Sequence, residues 1–249
     1  MTVTIVAYKR PDLLRQCLES IAKADLSPVD RFVFALDYHN GDTMEQMAAV
    51  IRDYHPNRIL YRTVQQFDRL GVANNTRAAY NAGFSVHGDE IVALEEDVTV
   101  APDAFVFAQK MLQWSRFAPG YHFVNLCSHQ TPLGSDPTKV HEDNELRGGY
   151  GWAFTREFWE YLEPRWNGKN RAPYGWDWNV SYLCYREEWR VLTPEVSRVA
   201  HTGREGTYCT PQWFDAHPQQ VCTVTPERYQ IVPHELDYTL PEWVKAELQ

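Results

Sequence analysis

A doubly wound α/β protein with a largely parallel sheet is predicted by two features of this 249-residue chain. Strand-like and helix-like segments alternate through its first half. The fourth strand-like segment, Ile91-Val92-Ala93-Leu94, then runs directly into three carboxylates, Glu95-Glu96-Asp97. Alternating strands and helices bury a parallel sheet between helical layers, and such a sheet opens its ligand crevice at the carboxyl ends of its strands.

Each element follows from local signals. Val3 to Ala7 reads as a buried strand, and Pro11 opens a helix whose Leu13, Leu14, Cys17, Leu18 and Ile21 recur at helical spacing. Arg31 to Asp37 is the second strand and Asn40-Gly41-Asp42 a turn. A helix from about Thr43 to Tyr54 carries Met44, Met47, Val50 and Ile51, and Ile59 to Tyr61 is the third strand. An Ala- and Asn-rich helix, Gly71 to Phe84, leads into the acidic strand. Beyond it, Pro102 to Trp114 reads as a helix, Tyr121 to Leu126 as a strand and the polar stretch Ser128 to Leu146 as a long loop. No linker or repeat divides the chain, so a single domain over residues 1–249 is expected. The acidic strand end divides it into a first half, to about residue 105, and a second half, about 106–249.

Composition narrows the partners. The formal charge of -9 opposes non-specific binding to nucleic acid, which needs a basic surface. A nucleic acid is therefore not favoured as a general partner. Five cysteines at wide spacings, with no C-x-x-C pair, suit free thiols in a reducing compartment. The absence of an apolar run of membrane-spanning length, together with a strand starting almost at Met1, predicts no membrane span and a cytoplasmic chain of prokaryotic or viral kind.

The acids at the end of the fourth strand have two readings. They are a solvated strand end or cap for the helix near Pro102, or they hold a hard divalent cation, Mn²⁺ or Mg²⁺, which takes carboxylate oxygens together with substrate phosphates. A cap needs one residue beside the helix, whereas Glu95 to Asp97 precede it by a full loop, which favours the cation. Arg10, at the end of the first strand, is either a surface charge before Pro11 or a phosphate ligand. Seven of the nine tryptophans lie between Gly151 and Phe214. Some must be core, and others, with Trp152, Trp176 and Trp178 foremost, are candidates to stack on an acceptor sugar.

Several ordered motifs resemble the inverting glycosyltransferases of the N-acetylglucosaminyltransferase I type, which have the GT-A fold and belong to glycosyltransferase family 13. Glu95-Glu96-Asp97 with Ala101-Pro102-Asp103-Ala104-Phe105 is similar to that family's Glu-Asp-Asp metal motif and downstream Pro-Asp-Phe-Phe. Gly149-Tyr150-Gly151-Trp152 and Leu162-Glu163-Pro164-Arg165-Trp166 resemble its Gly-Leu-Gly-Trp and Leu-Glu-Pro-Lys-Trp. Pro194-Glu195-Val196-Ser197-Arg198, Gly203-Arg204-Glu205-Gly206 and Phe214-Asp215 resemble three further blocks in the same order.

The resemblance implies a metal-dependent, inverting transfer from a nucleotide-diphosphate sugar, with UDP-GlcNAc as the family's donor, to an acceptor hydroxyl. It also implies that the first half, to about residue 105, binds the nucleotide-sugar and the second, about 106–249, the acceptor, with nucleic acid admitted only as that acceptor. It places the metal on Asp97, the donor sugar on Glu95 and Glu96, the diphosphate near Arg10, and the nucleotide base or ribose near Asp37. Asn75 stands where the family has a base-contacting histidine. Gly206 lies in a Gly203–Pro211 segment that is either a lid over the donor or an ordinary surface loop. Asp177 aligns with the catalytic base, although an Asp there is equally suited to N-cap the helix carrying Val180, Leu183 and Cys184. His201 has no counterpart in the family proper. Many other GT-A enzymes place a metal-binding His in this region, so it is read as either a structural histidine or a second metal ligand.

Three other functions compete. A phage-type glycosyltransferase acting on hydroxylated DNA bases would share the donor site, and a non-catalytic nucleotide-sugar binder would share the fold. A nucleotidyltransferase would need a glycine-rich N-terminal phosphate loop, and Val6 to Pro11 contains no glycine.

Overall fold

A computed structural model describes residues 1–54, 59–85, 88–118, 120–128, 135–167, 175–206, 209–216 and 220–239. The first half follows the predicted alternation: β1 (Thr2–Ala7), α1 (Pro11–Ile21), β2 (Arg31–Leu36), α2 (Gly41–Asp53), β3 (Leu60–Gln65), α3 (Val72–Phe84) and β4 (Glu90–Glu95). After β4 come β5 (Val98–Val100), α4 (Ala104–Phe117), β6 (Tyr121–Asn125), β7 (Lys139–Asp143), β8 (Gly151–Thr155), α5 (Arg156–Leu162), α6 (Trp176–Arg186), β9 (Arg190–Pro194), β10 (Val199–His201), α7 (Pro211–Ala216) and β11 (Gln230–Val232).

Nine strands form one mixed sheet in the order β11-β7-β9-β6-β8-β4-β1-β2-β3, and β5 pairs with β10 in a separate two-stranded ribbon. The β4-β1-β2-β3 portion is parallel, whereas β8 pairs antiparallel with both β4 and β6. Alternate residues of the central strands face opposite layers. Val3, Ile5, Phe32, Phe34, Val92 and Leu94 pack with α1, α2 and α4. Val6, Ala35, Ile91, Ala93, Phe123 and Phe154 pack with α3, α5 and α6. This two-sided burial explains why these strands read as continuous apolar runs.

The second layer accounts for the tryptophans. Trp152, Trp159, Trp166 and Trp176 surround the Tyr80 ring at centroid distances of 5.2 to 6.5 Å. Three indoles find acceptors: Trp152 donates to Tyr80 Oη at 3.0 Å, Trp159 to Asn81 Oδ1 at 2.8 Å and Trp166 to the Ala73 carbonyl at 3.1 Å. Buried indole N–H groups need such partners. Trp152 is therefore a core residue, which corrects its reading as an acceptor platform.

Four boundaries differ from expectation. The α2 helix starts at Gly41 because Asn40 caps it, accepting from the Thr43 N–H at 2.8 Å. The third strand reaches Gln65; as a sheet edge with mostly exposed side chains it carries no apolar pattern to read. The expected loop 128–146 contains β7, whose register with β9 is held by polar side chains, Thr193 donating to Asp143 at 3.0 Å and Arg190 meeting Glu142 at 2.5 Å. Residues 129–134 of that stretch lie outside the described residues. Finally, α4 begins at Ala104, with Asp103 at the cap position in a non-helical conformation and its carbonyl accepting from the Phe107 N–H at 2.7 Å.

Asp103 and Arg198 form a fully buried ion pair, Nε to Oδ2 at 3.0 Å. Tyr229 donates to the same oxygen at 2.8 Å, Arg198 donates to the Pro137 carbonyl at 2.7 Å, and its guanidinium lies 4.8 Å from the Phe107 ring centroid. Two of the sequence blocks, Pro-Asp-Ala-Phe and Pro-Glu-Val-Ser-Arg, thus meet in the core. Removing one partner leaves an uncompensated buried charge, so Asp103→Ala is expected to lower the unfolding free energy by about 3–5 kcal/mol. Urea denaturation checks this, with Arg52→Ala in the exposed Glu45 pair as a variant expected to leave the midpoint unchanged.

Candidate active site

The order of the parallel strands reverses between β1 and β4, since β2 and β3 continue from one side of β1 and β4 lies on the other. A crevice opens beyond the carboxyl ends of strands at such a point. Here it is a cavity of about 1010 Å³. Its floor carries Arg10 from the loop after β1, Asp37 from the end of β2, and Glu95, Glu96 and Asp97 from the end of β4. Asp177 and Trp178 at the start of α6 and His201 at the end of β10 also line it. Of the residues given a metal, donor, catalytic or acceptor role from sequence, only Trp152 lies away from the cavity lining.

Asp97 is the centre of the acidic cluster. The β5-β10 pairing sets His201 opposite Val98, and Thr202 donates to the Asp97 carbonyl through its backbone N–H at 2.7 Å and its hydroxyl at 2.9 Å. This brings His201 Nε2 to 3.1 Å and Arg10 Nη1 to 2.7 Å from Asp97 Oδ2. The other oxygen, Oδ1, is buried with no hydrogen-bond partner. Burial pushes this carboxyl up, but the His201 hydrogen bond and charge and the Arg10 charge outweigh it and hold the group below its ordinary value.

The two glutamates behave differently. Burial and the neighbouring Asp97 push Glu96 up to about 7, although Arg10 meets its Oε1 through Nε and Nη2, each at 2.7 Å. Glu95 is raised well above the carboxylate range by burial and by the charges of Asp97, Glu96 and Asp177. One deeply ionised acid beside a protonated neighbour is how a crowded cluster of carboxyls relieves its repulsion.

Asp177 is not the helix cap. Gly175 occupies that position, and Asp177 is the second residue of α6. Burial raises its proton affinity. The glycine motifs around it have a steric cause. A Cβ on Gly149 would lie 2.6 Å from Trp176 and 3.1 Å from Asp177 Cβ, and one on Gly175 would lie 2.6 Å from Asp177 Oδ1. Gly203 is equally constrained, since its Cβ would fall 2.4 Å from Asp97 Oδ2.

The remaining candidates line the cavity with varied freedom. Asp37 accepts the backbone N–H groups of Leu70 at 2.8 Å and Gly71 at 2.9 Å, so it shapes the turn before α3. Asn75 is fully buried and donates to the Ala35 carbonyl at 3.0 Å. Trp176 is buried and stacked on Trp166, whereas Trp178 is 36% exposed at the cavity rim. Gly206, Cys209 and Thr210 come from the 203–211 segment, of which residues 207 and 208 lie outside the described residues. Sequence reasoning missed Tyr8, Arg69 and Glu145. Tyr8 and Arg69 were detectable as residues in loops flanking the carboxyl strand ends, but Glu145 fell in the stretch read as a loop.

Among the described residues, no three His, Cys, Asp or Glu side chains converge as a ready-made metal cage. Asp97 Oδ2 and His201 Nε2 nonetheless offer an oxygen and a nitrogen within 3.1 Å of each other, and Oδ1 is buried without a partner. That fits an ion which completes its shell with water and phosphate oxygens.

Fold and site together define a GT-A chain. Solved structures agree: a mannosyltransferase from Pyrobaculum calidifontis in complex with GDP-Man and Mn²⁺ superimposes with a TM-score of 0.60 at 19% identity, covering 83% of this chain and 58% of that one. GalNAc-T7 with UDP, GalNAc and Mn²⁺ gives a TM-score of 0.61 at 15% identity, covering 81% and 43%. Residues 81–236 match the family model of N-acetylglucosaminyltransferase II (MGAT2), and the chain belongs to that family. Curated relatives include the alpha-1,6-mannosyl-glycoprotein 2-beta-N-acetylglucosaminyltransferases of Rattus norvegicus, 27% identical over 61% of this chain and 35% of that protein, and of Sus scrofa, 30% identical over 47% and 28%. The chain thus spans about a third of the length of the curated relatives it matches. An N-acetylglucosaminyltransferase family on the GT-A fold is common to this finding and to the sequence motifs, but the family model matched is type II, not type I.

The charge pattern has a pH signature. Unfolded, Glu96 titrates near 4.5; folded, near 7. Between these values the folded state holds more protons, so this group's contribution to stability falls as pH rises through the window. Asp97, lowered, acts oppositely, losing its contribution only as pH falls below its ordinary 3.8. The melting temperature of metal-free protein relative to Glu96→Gln should therefore decline from about pH 5 to about pH 7. Scanning fluorimetry at both pH values reads this difference, and a rising one would contradict the assignment.

Proposed function

We propose that this chain is a metal-dependent, inverting glycosyltransferase that moves a sugar, N-acetylglucosamine in the first instance, from a UDP-linked donor to a hydroxyl of a glycan acceptor. The observation that carries this reading is the shared cavity. Asp97, with its unpartnered buried oxygen and His201 beside it, faces the same space as Asp177, whose proton affinity is raised.

In this reading Asp97 and His201 hold Mn²⁺ or Mg²⁺, and Arg10 adds a guanidinium suited to phosphate oxygens. The ion, when bound, supplies Lewis-acid stabilisation of the departing diphosphate. Asp37 holds the Leu70-Gly71 turn that walls the nucleotide end, and Asn75 braces α3 against β2 behind it. Protonated Glu95 can donate to a sugar oxygen, and Glu96 keeps Arg10 in place. Asp177 takes the acceptor hydroxyl proton as that oxygen attacks the anomeric carbon opposite the diphosphate, and its raised proton affinity suits a base. Trp178, at the rim, is the remaining platform for an acceptor ring. The relatives' names point to mannose-containing glycans, and the -9 charge disfavours DNA.

A panel of UDP-, GDP-, CDP- and TDP-sugars with Mn²⁺, scored for slow hydrolysis without acceptor, tests the donor class. Release from UDP-GlcNAc is expected, and metal-independent or absent hydrolysis across the panel would sink the reading. Asp97→Ala should leave the protein folded while calorimetry shows metal-dependent UDP binding to be lost. Asp177→Asn should lower turnover by roughly 10²- to 10⁴-fold with UDP affinity nearly unchanged. A near-wild-type rate would remove Asp177 from the mechanism.

A further inference from the structure

Arg10 stands in an unusual position for a phosphate ligand. Its Nε and Nη2 each lie 2.7 Å from Glu96 Oε1 and its Nη1 lies 2.7 Å from Asp97 Oδ2, the oxygen that His201 also approaches. A guanidinium is thus docked in the seat where a divalent ion would share Asp97 with His201. The backbone helps aim it there, since Lys9 adopts φ 51, a left-handed conformation that non-glycine residues seldom take. From above, Nη1 is 3.5 Å from the Glu205 carbonyl and would lie 3.4 Å from a Cβ on Gly206. The side chain remains 24% exposed, on the cavity side, so it has a way out.

We infer that Arg10 is an internal counterion that occupies the cation seat of the ligand-free protein, and that metal and diphosphate enter by exchanging with it. The inference rests on the metal reading of Asp97 above. A divalent ion taking Asp97 Oδ2 beside His201 would press on the guanidinium's charge, so an ion alone must push Arg10 Nη1 off that oxygen and leave this end of the fork unpaired, while Nε and Nη2 stay on Glu96. A nucleoside diphosphate removes that penalty by offering the released end of the guanidinium its oxygens. Metal and nucleotide therefore bind with positive coupling, and by linkage each raises the other's affinity by the same factor. Arg10 opposes the metal before the donor arrives and supports the donor afterwards.

The test is calorimetry of the metal-stripped full chain, with Mn²⁺ alone as probe and then Mn²⁺ with UDP. Arg10→Gln is expected to bind Mn²⁺ without nucleotide at least about 10-fold more tightly than wild type, while the UDP–Mn²⁺ coupling falls but stays above unity, since phosphate oxygens still ligate the ion. Arg69→Gln, which removes a cation from the same cavity lying over the Tyr8 ring, is expected to leave Mn²⁺ affinity unchanged. That control separates seat occupancy from general charge. Arg10→Lys keeps a charge but not the fork, and should fall between the two; it decides the matter by the same criterion if Arg10→Gln does not fold. Mn²⁺ affinity unchanged or weakened in the Arg10 variants would overturn the inference, as would an equal gain in Arg69→Gln. If in that case Asp97→Asn still abolishes Mn²⁺ binding, the metal reading survives alone. If wild type with UDP and Arg10→Gln both take up no Mn²⁺, both readings fall.

Discussion

The buried Arg198–Asp103 pair is the constraint on which the site depends. Arg198 immediately precedes β10 and Asp103 immediately precedes α4, so their bond ties the β10 ribbon to the helix that follows the acidic strand. Both side chains are fully enclosed, and the Tyr229 hydroxyl and the Pro137 and Val196 carbonyls add further hydrogen bonds, while Asp103 Oδ1 is left without one. Buried ion pairs seldom add net stability over a packed apolar alternative, but they penalise every arrangement that separates them. Here the penalised arrangements are those in which β10 slides along β5. A one-residue slip would turn His201 to the other face of its strand and take its ring from Asp97.

The site itself is a problem of charge crowding. Three acids at one strand end, with a fourth across the cavity, cannot all ionise in a partly buried space without a compensating cation. The protein divides the task. Arg10 and His201 hold Asp97 below its ordinary value, burial and Asp97 push Glu96 up to about 7, and burial with its acidic neighbours pushes Glu95 well above the carboxylate range. The result is a cavity prepared for added positive charge, with Asp97 Oδ1 buried and without a hydrogen-bond partner. Close glycines at 149, 175 and 203 are the steric counterpart, because each clears the space that Asp177 or Asp97 requires.

The alternation of strand and helix was legible because central strands buried on both faces, and helices buried on one, leave strong apolar patterns. The acidic triplet was legible because mutual repulsion makes three carboxylates at a buried strand end costly unless positive charge meets them. Less could be read where polar contacts determine structure. The β7 strand is held by Glu142, Asp143 and their arginine and threonine partners, and β3 is an exposed edge, so neither shows a hydrophobic period. Tryptophan density marked the second half as special, but composition could not separate Trp152 in the core from Trp178 at the rim, since both are aromatic residues near a glycine.

What the sequence by itself determined, then, is the order of elements, the acidic strand end and the motif blocks around it. Those depend on local periodicity and on residue types within a few positions of one another. Only the tertiary structure decided that Arg10, Asp97 and His201, spread over nearly the whole chain, converge on one oxygen, that Asp177 lies inside its helix and not at its cap, and that Arg198 serves the core. Such contacts depend on strand order and register, which are set by the packing of the whole sheet and by no local stretch of the chain.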